Sequence, residues 1–134
     1  SIFLWTGYAK EDDMLYAGLY SIFDENREID FQEVPQNEAL PAPYKDQLPV
    51  ERIMWFSQGY YAAEQNSPTL VVHDLRFGRS DLWLDNNQAP FVWNYRLTFN
   101  ADSTQVTGFK QQEPSFDARG EMWERLLRRT FGQE

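Results

Sequence analysis

The sequence predicts an α+β fold, in which a mainly antiparallel sheet of about five strands has helices packed on one face. Three observations predict it. Aromatic-rich segments alternate with a period of two along much of the chain. A helical period appears only once in the middle and once at the C-terminal end. The predicted strands are grouped by short polar turns, which gives the order β-β-β-α-β-β-α and favours an antiparallel sheet.

The first three strands are expected to form a meander. Residues 2–8 and 14–23 are rich in aromatic and aliphatic side chains and flank a short acidic turn. Residues 28–34 then alternate cleanly between apolar and polar side chains, as a half-exposed strand does. Gly7 and Gly18 lie inside the first two strands, where a glycine indicates a bulge or a close approach of another group.

The middle of the chain is predicted to hold one helix, at 49–64, followed by a strand at 69–77. The helical period is carried by residues that share one face, namely Val50, Ile53, Met54, Ser57, Tyr60 and Tyr61. A proline-rich loop precedes this helix, and Asn66, Ser67 and Pro68 are expected to end it. The connection 78–89 carries Leu82, Trp83 and Leu84, which we expect to fold back onto the domain.

The last third of the chain shows the clearest amphipathic strand, at 91–99. Its apolar positions are expected to face the core beneath the central helix, and they are Phe91, Trp93, Tyr95, Leu97 and Phe99. Residues 105–110 are expected to add a short strand. A final helix is predicted at 118–131, with Asp117 as its N-cap and Gly132 as its stop.

Composition indicates one domain spanning residues 1–134, large enough to bury a core without disulfides. The chain has no cysteine, which excludes thiolate nucleophiles and cysteine-ligated zinc. Its net charge is −9, and residues 1–47 alone carry ten acidic and three basic side chains. Such a surface repels phosphate backbones, so nucleic acid is not an expected partner. A strand pattern that begins directly after Ser1, without an initiator Met, favours a fragment of a longer protein.

Two groups of charged residues are interpreted as surface features. The carboxylates at 11–13 and 24–25 lie in predicted turns, where water solvates them and ordinary pKa values are expected. The basic residues Arg125, Arg128 and Arg129 lie in the last turns of the final helix. There they complement the helix dipole and are expected to pair with acidic residues of the same helix, Glu121 and Glu124.

The strongest candidate for a binding site is the charged end of the strand at 69–77, with His73, Asp74 and Arg76. Charge at the end of a buried strand needs a partner, because an unpaired ion in a low dielectric is costly. Asp74 and Arg76 are two residues apart and would share one strand face. They are interpreted either as a structural ion pair or as a polar site at the mouth of a pocket.

Catalytic chemistry is not predicted within this chain. His73 is its one histidine, so a catalytic triad and a metal site with several histidines are excluded, and no catalytic residue or metal ligand is assigned. Neither a P-loop, nor a nucleophile elbow, nor a dinucleotide-binding fingerprint occurs. The carboxylate pairs lack the burial that would separate their pKa values for acid–base work.

Several short motifs, taken in order, nevertheless resemble one family. The N-terminal ones are Leu4-Trp5 and Gly18-Leu-Tyr20-Ser21. They are followed by Trp55-Phe-Ser-Gln-Gly-Tyr-Tyr61, by the segment from Val72 to Gly78, and by Phe91-Val-Trp93. This order is similar to that in the C-terminal soluble region of bacterial membrane-bound, metal-dependent hydrolases, the inner-membrane hydrolases described as LexA-regulated. The chain departs from that pattern at Thr6, where an arginine is usual.

The resemblance implies a role for the chain. It would be an accessory or substrate-recognition domain, tethered at the bacterial inner membrane, whose partner is the membrane-embedded N-terminal portion of the same protein. The divalent metal and its His and Asp ligands would belong to that portion, so no cofactor is expected here and the hydrolase activity would be the parent's. The alternative is a stand-alone module that binds a small ligand or a protein through an aromatic pocket.

Overall fold

A computed structural model describes residues 2–84, 89–112 and 120–133. Its strands and α-helices are β1 (Leu4–Glu11), β2 (Met14–Ser21), β3 (Phe31–Pro35), α1 (Leu48–Ser57), β4 (Tyr61–Asn66), β5 (Thr69–Asp74), β6 (Asn94–Phe99), β7 (Val106–Gln112) and α2 (Gly120–Thr130). A single 3-10 turn at Ala42–Tyr44 precedes α1, and a second one at Leu75–Phe77 follows β5. The fold is therefore α+β, as the sequence predicts.

The strands form two antiparallel sheets, and the expected single sheet of about five strands is wrong. One sheet has the order β1-β2-β3, which is the predicted meander. The other has the order β4-β5-β6-β7 and includes the predicted short strand near 105–110 as β7. Within the described residues the order is thus β-β-β-α-β-β-β-β-α.

The additional strand, β4, begins in the last four residues of the segment that is expected to be helical. α1 ends at Ser57, because Gln58 and Gly59 adopt left-handed backbone conformations with φ of 55° and 81°. Residues from Tyr61 onward then pair with β5. The helical period failed as a guide here because Tyr61, Ala62 and Ala63 are all buried. A short run that is apolar on both faces does not distinguish a strand from a helix.

Two clusters of apolar side chains make up the core. The first lies between α1 and one face of the four-stranded sheet and contains Val50, Ile53, Tyr61, Ala63, Leu70, Val72, Tyr95, Leu97 and Val106. The second lies toward the three-stranded sheet and contains Leu15, Ala17, Val34, Ala62, Leu75 and Trp83. Burial of Trp83 confirms that the connection after β5 folds back onto the domain, although Leu82 remains 40% exposed.

The aromatic segment at 91–99 follows its predicted alternation only from β6 onward. Tyr95 and Leu97 are buried beneath α1, as expected, and Trp93 and Phe99 are partly buried against the same cluster. Phe91 instead packs against the second cluster. The prediction fails for Phe91 because this residue precedes the strand, so strand alternation does not determine the direction of its side chain.

The C-terminal helix begins, within the described residues, at Gly120, and the predicted cap Asp117 lies outside them. Gly132 ends it as predicted, with φ of 67°. The N–H groups of Gly132 and Gln133 donate to the carbonyl oxygens of Arg129 and Arg128, at 3.3 and 2.9 Å, which is a Schellman ending. No residue of α2 is fully buried, so polar contacts are important for holding it in place.

The arginines of α2 pair differently from the prediction. Arg128 contacts Glu124 at 2.6 Å, as expected. Arg129 instead donates to both carboxylate oxygens of Asp24, at 2.6 and 3.0 Å, and to the carbonyl oxygen of Leu19 at 2.8 Å. These hydrogen bonds hold the pKa of Asp24 below its ordinary value. The expectation of an ordinary pKa is therefore wrong for Asp24, because a residue 105 positions away supplies its partner.

We predict that the two paired glycines of the β1–β2 hairpin respond oppositely to alanine. Gly7 lies directly opposite Gly18. A Cβ on Gly18 would overlap Cγ2 of Ile29 and lie 3.1 Å from Cδ1 of Phe31, whereas a Cβ on Gly7 has no neighbour within 4 Å. Gly18→Ala should destabilise the fold by about 1–3 kcal/mol. Gly7→Ala, the matched control, should leave stability unchanged or raise it by up to about 1 kcal/mol. Urea denaturation measures both, and equal effects would contradict the packing described.

We also predict that the Asp24–Arg129 pair contributes stability that depends on pH. Because the folded state lowers the pKa of Asp24, this stability is present above about pH 4, near the unfolded pKa. It is lost as the pH falls through the depressed pKa of the folded state. Asp24→Asn should therefore reduce the free energy of unfolding at pH 7 and reduce its loss on acidification. Glu25→Gln is the control. The prediction is refuted if the free energy of unfolding falls by the same amount on acidification in both variants.

Candidate functional site

The charged end of β5 is organised around the buried carboxylate of Asp74. Its Oδ1 accepts hydrogen bonds from the backbone N–H of Arg76 at 3.1 Å and from Nε of the same residue at 3.0 Å, and its Oδ2 accepts from Nη2 at 2.7 Å. The first of these contacts caps the 3-10 turn at Leu75–Phe77. The pairing raises the pKa of Arg76 above its ordinary value. One arginine thus ends the strand and neutralises the carboxylate.

This geometry differs from the sequence argument, although the predicted pair does form. The strand ends at Asp74 and not at 77, so Arg76 is not on a strand face. The two side chains meet because the turn folds Arg76 back onto the residue two positions before it. The side chain of Asp74 is 1% exposed and that of Arg76 is 29% exposed. The guanidinium therefore keeps an outward edge at the surface.

His73 lies on the other face of β5, because neighbouring residues of a strand alternate. Its Nδ1 lies 2.5 Å from Oδ1 of Asn94, and its ring lies 4.6 Å from the ring of Phe91. The amide nitrogen of Asn94 donates to the Phe91 carbonyl at 2.8 Å. Oδ1 of Asn94 is therefore an acceptor, and Nδ1 of His73 donates to it. Nε2 lies 3.3 Å from Oε2 of Glu64. The fold thus pairs Asp74 with Arg76, whereas the side chain of His73 lies on the opposite face of β5 and does not join that pair.

An exposed set of stacked side chains, which we call the aromatic shelf, lies beside Arg76 and consists of Phe56, Phe77, Trp93 and the Arg76 guanidinium. The ring of Phe77 stacks on Trp93 at 4.6 Å and on Phe56 at 6.2 Å, between ring centroids. Cζ of Arg76 lies 5.0 Å from the centroid of Phe56 and 5.7 Å from that of Phe77. Phe56 and Phe77 are 37% and 42% exposed. The shelf is thus a flat aromatic surface with one cation.

A groove of about 420 Å³ adjoins the shelf and shares Phe56 with it. The groove runs between α1 and the β6–β7 part of the sheet and is lined by Arg52, Ile53, Trp55, Phe56, Tyr95 and Phe109. Nε1 of Trp93 donates to the hydroxyl oxygen of Tyr95 at 2.8 Å, which links the shelf to the groove wall. The volume lies within the range usual for small-ligand sites. Shelf and groove together form the candidate binding site.

Sequence reasoning missed most of this site, because it assigned the aromatic residues to the core and to cross-strand packing. Phe56 lies inside the motif Trp55–Tyr61 and Phe77 inside the segment Val72–Gly78, both of which resemble the hydrolase family. That resemblance is the one sequence signal that pointed to these two rings. Their meeting depends on the end of α1 and on the 3-10 turn after Asp74, neither of which the pattern predicted.

A second polar feature was also missed. Arg79 is 7% exposed and lies with its Cζ 4.0 Å from the Phe91 ring and 5.2 Å from the Trp83 ring. Its Nη1 donates to the carbonyl of Ala89 at 2.5 Å. Burial lowers the pKa of Arg79. Because the arginine is enclosed by aromatic rings and ties the connection after β5 to the domain, its role is structural.

Another cavity, of about 480 Å³, lies beside the Asp24–Arg129 pair, between the β2–β3 connection and α2. Its walls are more polar than those of the groove, and several of its carboxylates are exposed. Among residues 2–84, 89–112 and 120–133, no three His, Cys, Asp or Glu side chains are grouped so that they could hold a metal ion. In the same ranges, none of the helices is long and apolar enough to cross a bilayer.

We predict an asymmetric double-mutant cycle for Asp74 and Arg76. Arg76→Met leaves a buried carboxylate without its counter-ion and should cost about 3 kcal/mol of stability. Asp74→Asn leaves a guanidinium that is partly exposed and can be hydrated, so it should cost about 1–2 kcal/mol. The double variant should be less destabilised than the sum of the two. Urea denaturation provides all three values, and a coupling energy near zero would show that the pair does not stabilise the fold.

Comparisons of the chain with protein-family models, with curated proteins and with solved structures find no match.

Proposed function

We propose that the chain is an accessory recognition domain of a membrane-bound, metal-dependent hydrolase, tethered at the bacterial inner membrane. In this role it provides a binding surface, the aromatic shelf with its groove, and the metal ligands belong to the membrane-embedded portion of the parent protein. The parent carries out hydrolysis, and this domain holds the substrate or partner near the membrane.

The observation that supports this proposal most strongly is that three separate motifs meet at one exposed surface. Residues 55–61, 72–78 and 91–93 are three of the five segments that resemble the hydrolase family, and each contributes one ring to the shelf. Their backbones are joined as well. The N–H of Leu75 donates to the Tyr60 carbonyl, and the N–H of Asp74 donates to the Trp93 carbonyl, both at 2.9 Å.

Core packing alone does not account for this arrangement. Phe56 and Phe77 keep more than a third of their surface exposed, and they are not scattered singly but stack in one patch with Trp93 and the Arg76 guanidinium. Exposed aromatic rings beside an arginine are typical of surfaces that bind a partner, because such side chains give large contact area at little entropic cost. The three motifs are therefore better explained by recognition.

The alternative function is that of a stand-alone module that binds a small ligand in the groove. The groove itself favours it, since it has the size of a ligand site without any contribution from another chain. The genomic sequence upstream of Ser1 discriminates between the two functions. Several hydrophobic spans with His- and Asp-containing motifs support the accessory domain, and an open reading frame without them contradicts it.

We predict that Phe77→Ala in the full-length parent affects binding and not chemistry. With a divalent metal supplied and a panel of chromogenic esters as substrates, KM should rise about fivefold while kcat is unchanged, since stacking of this kind contributes about 0.5–1.5 kcal/mol. Phe31→Ala is the matched control, because Phe31 is a phenylalanine of similar exposure, 45%, on β3. A fall in kcat with KM unchanged would contradict the recognition role.

A further inference from the structure

We infer that the groove beside α1 binds a single-chain anionic lipid, with the alkyl chain against the aromatic wall and the anionic group at Arg52. This inference deepens the proposed recognition role, on which it rests for its biological setting, by naming a ligand class for the same site. Its physical basis lies in the lining of the groove, in the charge at the rim and in the outer face of α1.

The walls of the groove are suited to an alkyl chain. Ile53, Phe56 and Phe109 provide apolar surface, and Trp55 stands at the opening with 79% of its surface exposed. An apolar chain that covers this surface removes it from water, at a gain of about 25 cal/mol per Å². A polar ligand such as a sugar would find few partners for its hydroxyl groups along these walls.

The charge at the rim selects an anion. Arg52 is the one charged side chain among the described residues that line the groove, and no carboxylate is among them. Within residues 2–84, 89–112 and 120–133, Arg52 has neither an ion pair nor a hydrogen bond from its side chain. A phosphate or carboxylate group would provide the missing counter-ion.

The hydroxyl of Tyr95 offers a second donor. Its oxygen accepts the hydrogen bond from Trp93, so its own proton is not used in that contact. Within the described part of the chain this proton has no acceptor. An oxygen atom of a head group that reaches this wall can accept a hydrogen bond from the Tyr95 hydroxyl. This again favours a ligand whose polar end accepts hydrogen bonds and does not donate them.

The outer face of α1 extends the same pattern. Val50, Ile53 and Ser57 form the buried face of this helix, whereas Leu48, Arg52 and Trp55 lie at i, i+4 and i+7 on the opposite, exposed face. Leu48 is 55% exposed. The helix therefore has an apolar outer stripe about 10 Å long with the free arginine at its middle. Apolar side chains such as Leu48 and Trp55 can cover the alkyl chain of an amphiphile while the charged end of the amphiphile stays at the protein surface.

Titration of the 134-residue chain with monomeric dodecyl phosphate, below its critical micelle concentration, tests the inference by calorimetry. We expect saturable binding with one molecule per chain. Arg52→Gln should weaken it about fivefold, as expected for an ion pair at an exposed rim, and Trp55→Ser should weaken it by a similar factor. The matched controls are Arg27→Gln and Trp123→Ser, which replace an exposed arginine and an exposed tryptophan remote from the groove in sequence and should bind as the parent does. Circular dichroism confirms that each variant is folded.

Several outcomes would overturn the inference. They are an absence of saturable binding, equal binding by dodecyltrimethylammonium, equal weakening in the two control variants, and binding of inorganic phosphate as tight as that of dodecyl phosphate. Binding only to vesicles of phosphatidylglycerol would indicate a bilayer surface, and dimerisation through this face without lipid binding would indicate a second copy. The recognition role is tested separately, in the parent protein through Phe77, so the two can fail independently.

Discussion

The neutralisation of Asp74 by Arg76 is the interaction on which the candidate site depends. A carboxylate at the end of a covered strand requires a partner, and the nearest available cation is two residues further along the chain. To supply it, the backbone turns out of β5 at once, in the 3-10 turn at Leu75–Phe77. That turn brings Phe77 against Phe56 and Trp93. One electrostatic requirement therefore positions the aromatic shelf.

The second constraint is that α1 covers the four-stranded sheet only partly. The helix ends at Ser57 and leaves the surface of Phe109 and part of Tyr95 to form a groove instead of a closed core. The apolar outer stripe of the same helix stays exposed. Both surfaces include Arg52, the one cation among the described residues that line the groove. Charge and shape thus point to an anionic, partly apolar ligand.

The sequence by itself determined the features that depend on neighbouring residues. It predicted the α+β class, the meander of β1–β3, the burial of Tyr95 and Leu97 and the helix stop at Gly132, because period-two alternation and a C-terminal glycine are local signals. It also singled out Asp74 and Arg76, since charge beside an apolar strand is visible without a structure. The aromatic side chains beside this pair, however, were assigned to the core.

Only the tertiary structure decided which elements meet. The end of α1 depends on two left-handed residues and on the pairing of β4 with β5, so the helical period alone extended the helix too far. Asp24 obtains its partner from α2, 105 residues away, and this distance in sequence conceals the reason for its lowered pKa. The shelf likewise combines Phe56, Phe77 and Trp93 from three segments. Contacts of this kind arise from packing between distant segments, and no local pattern encodes them.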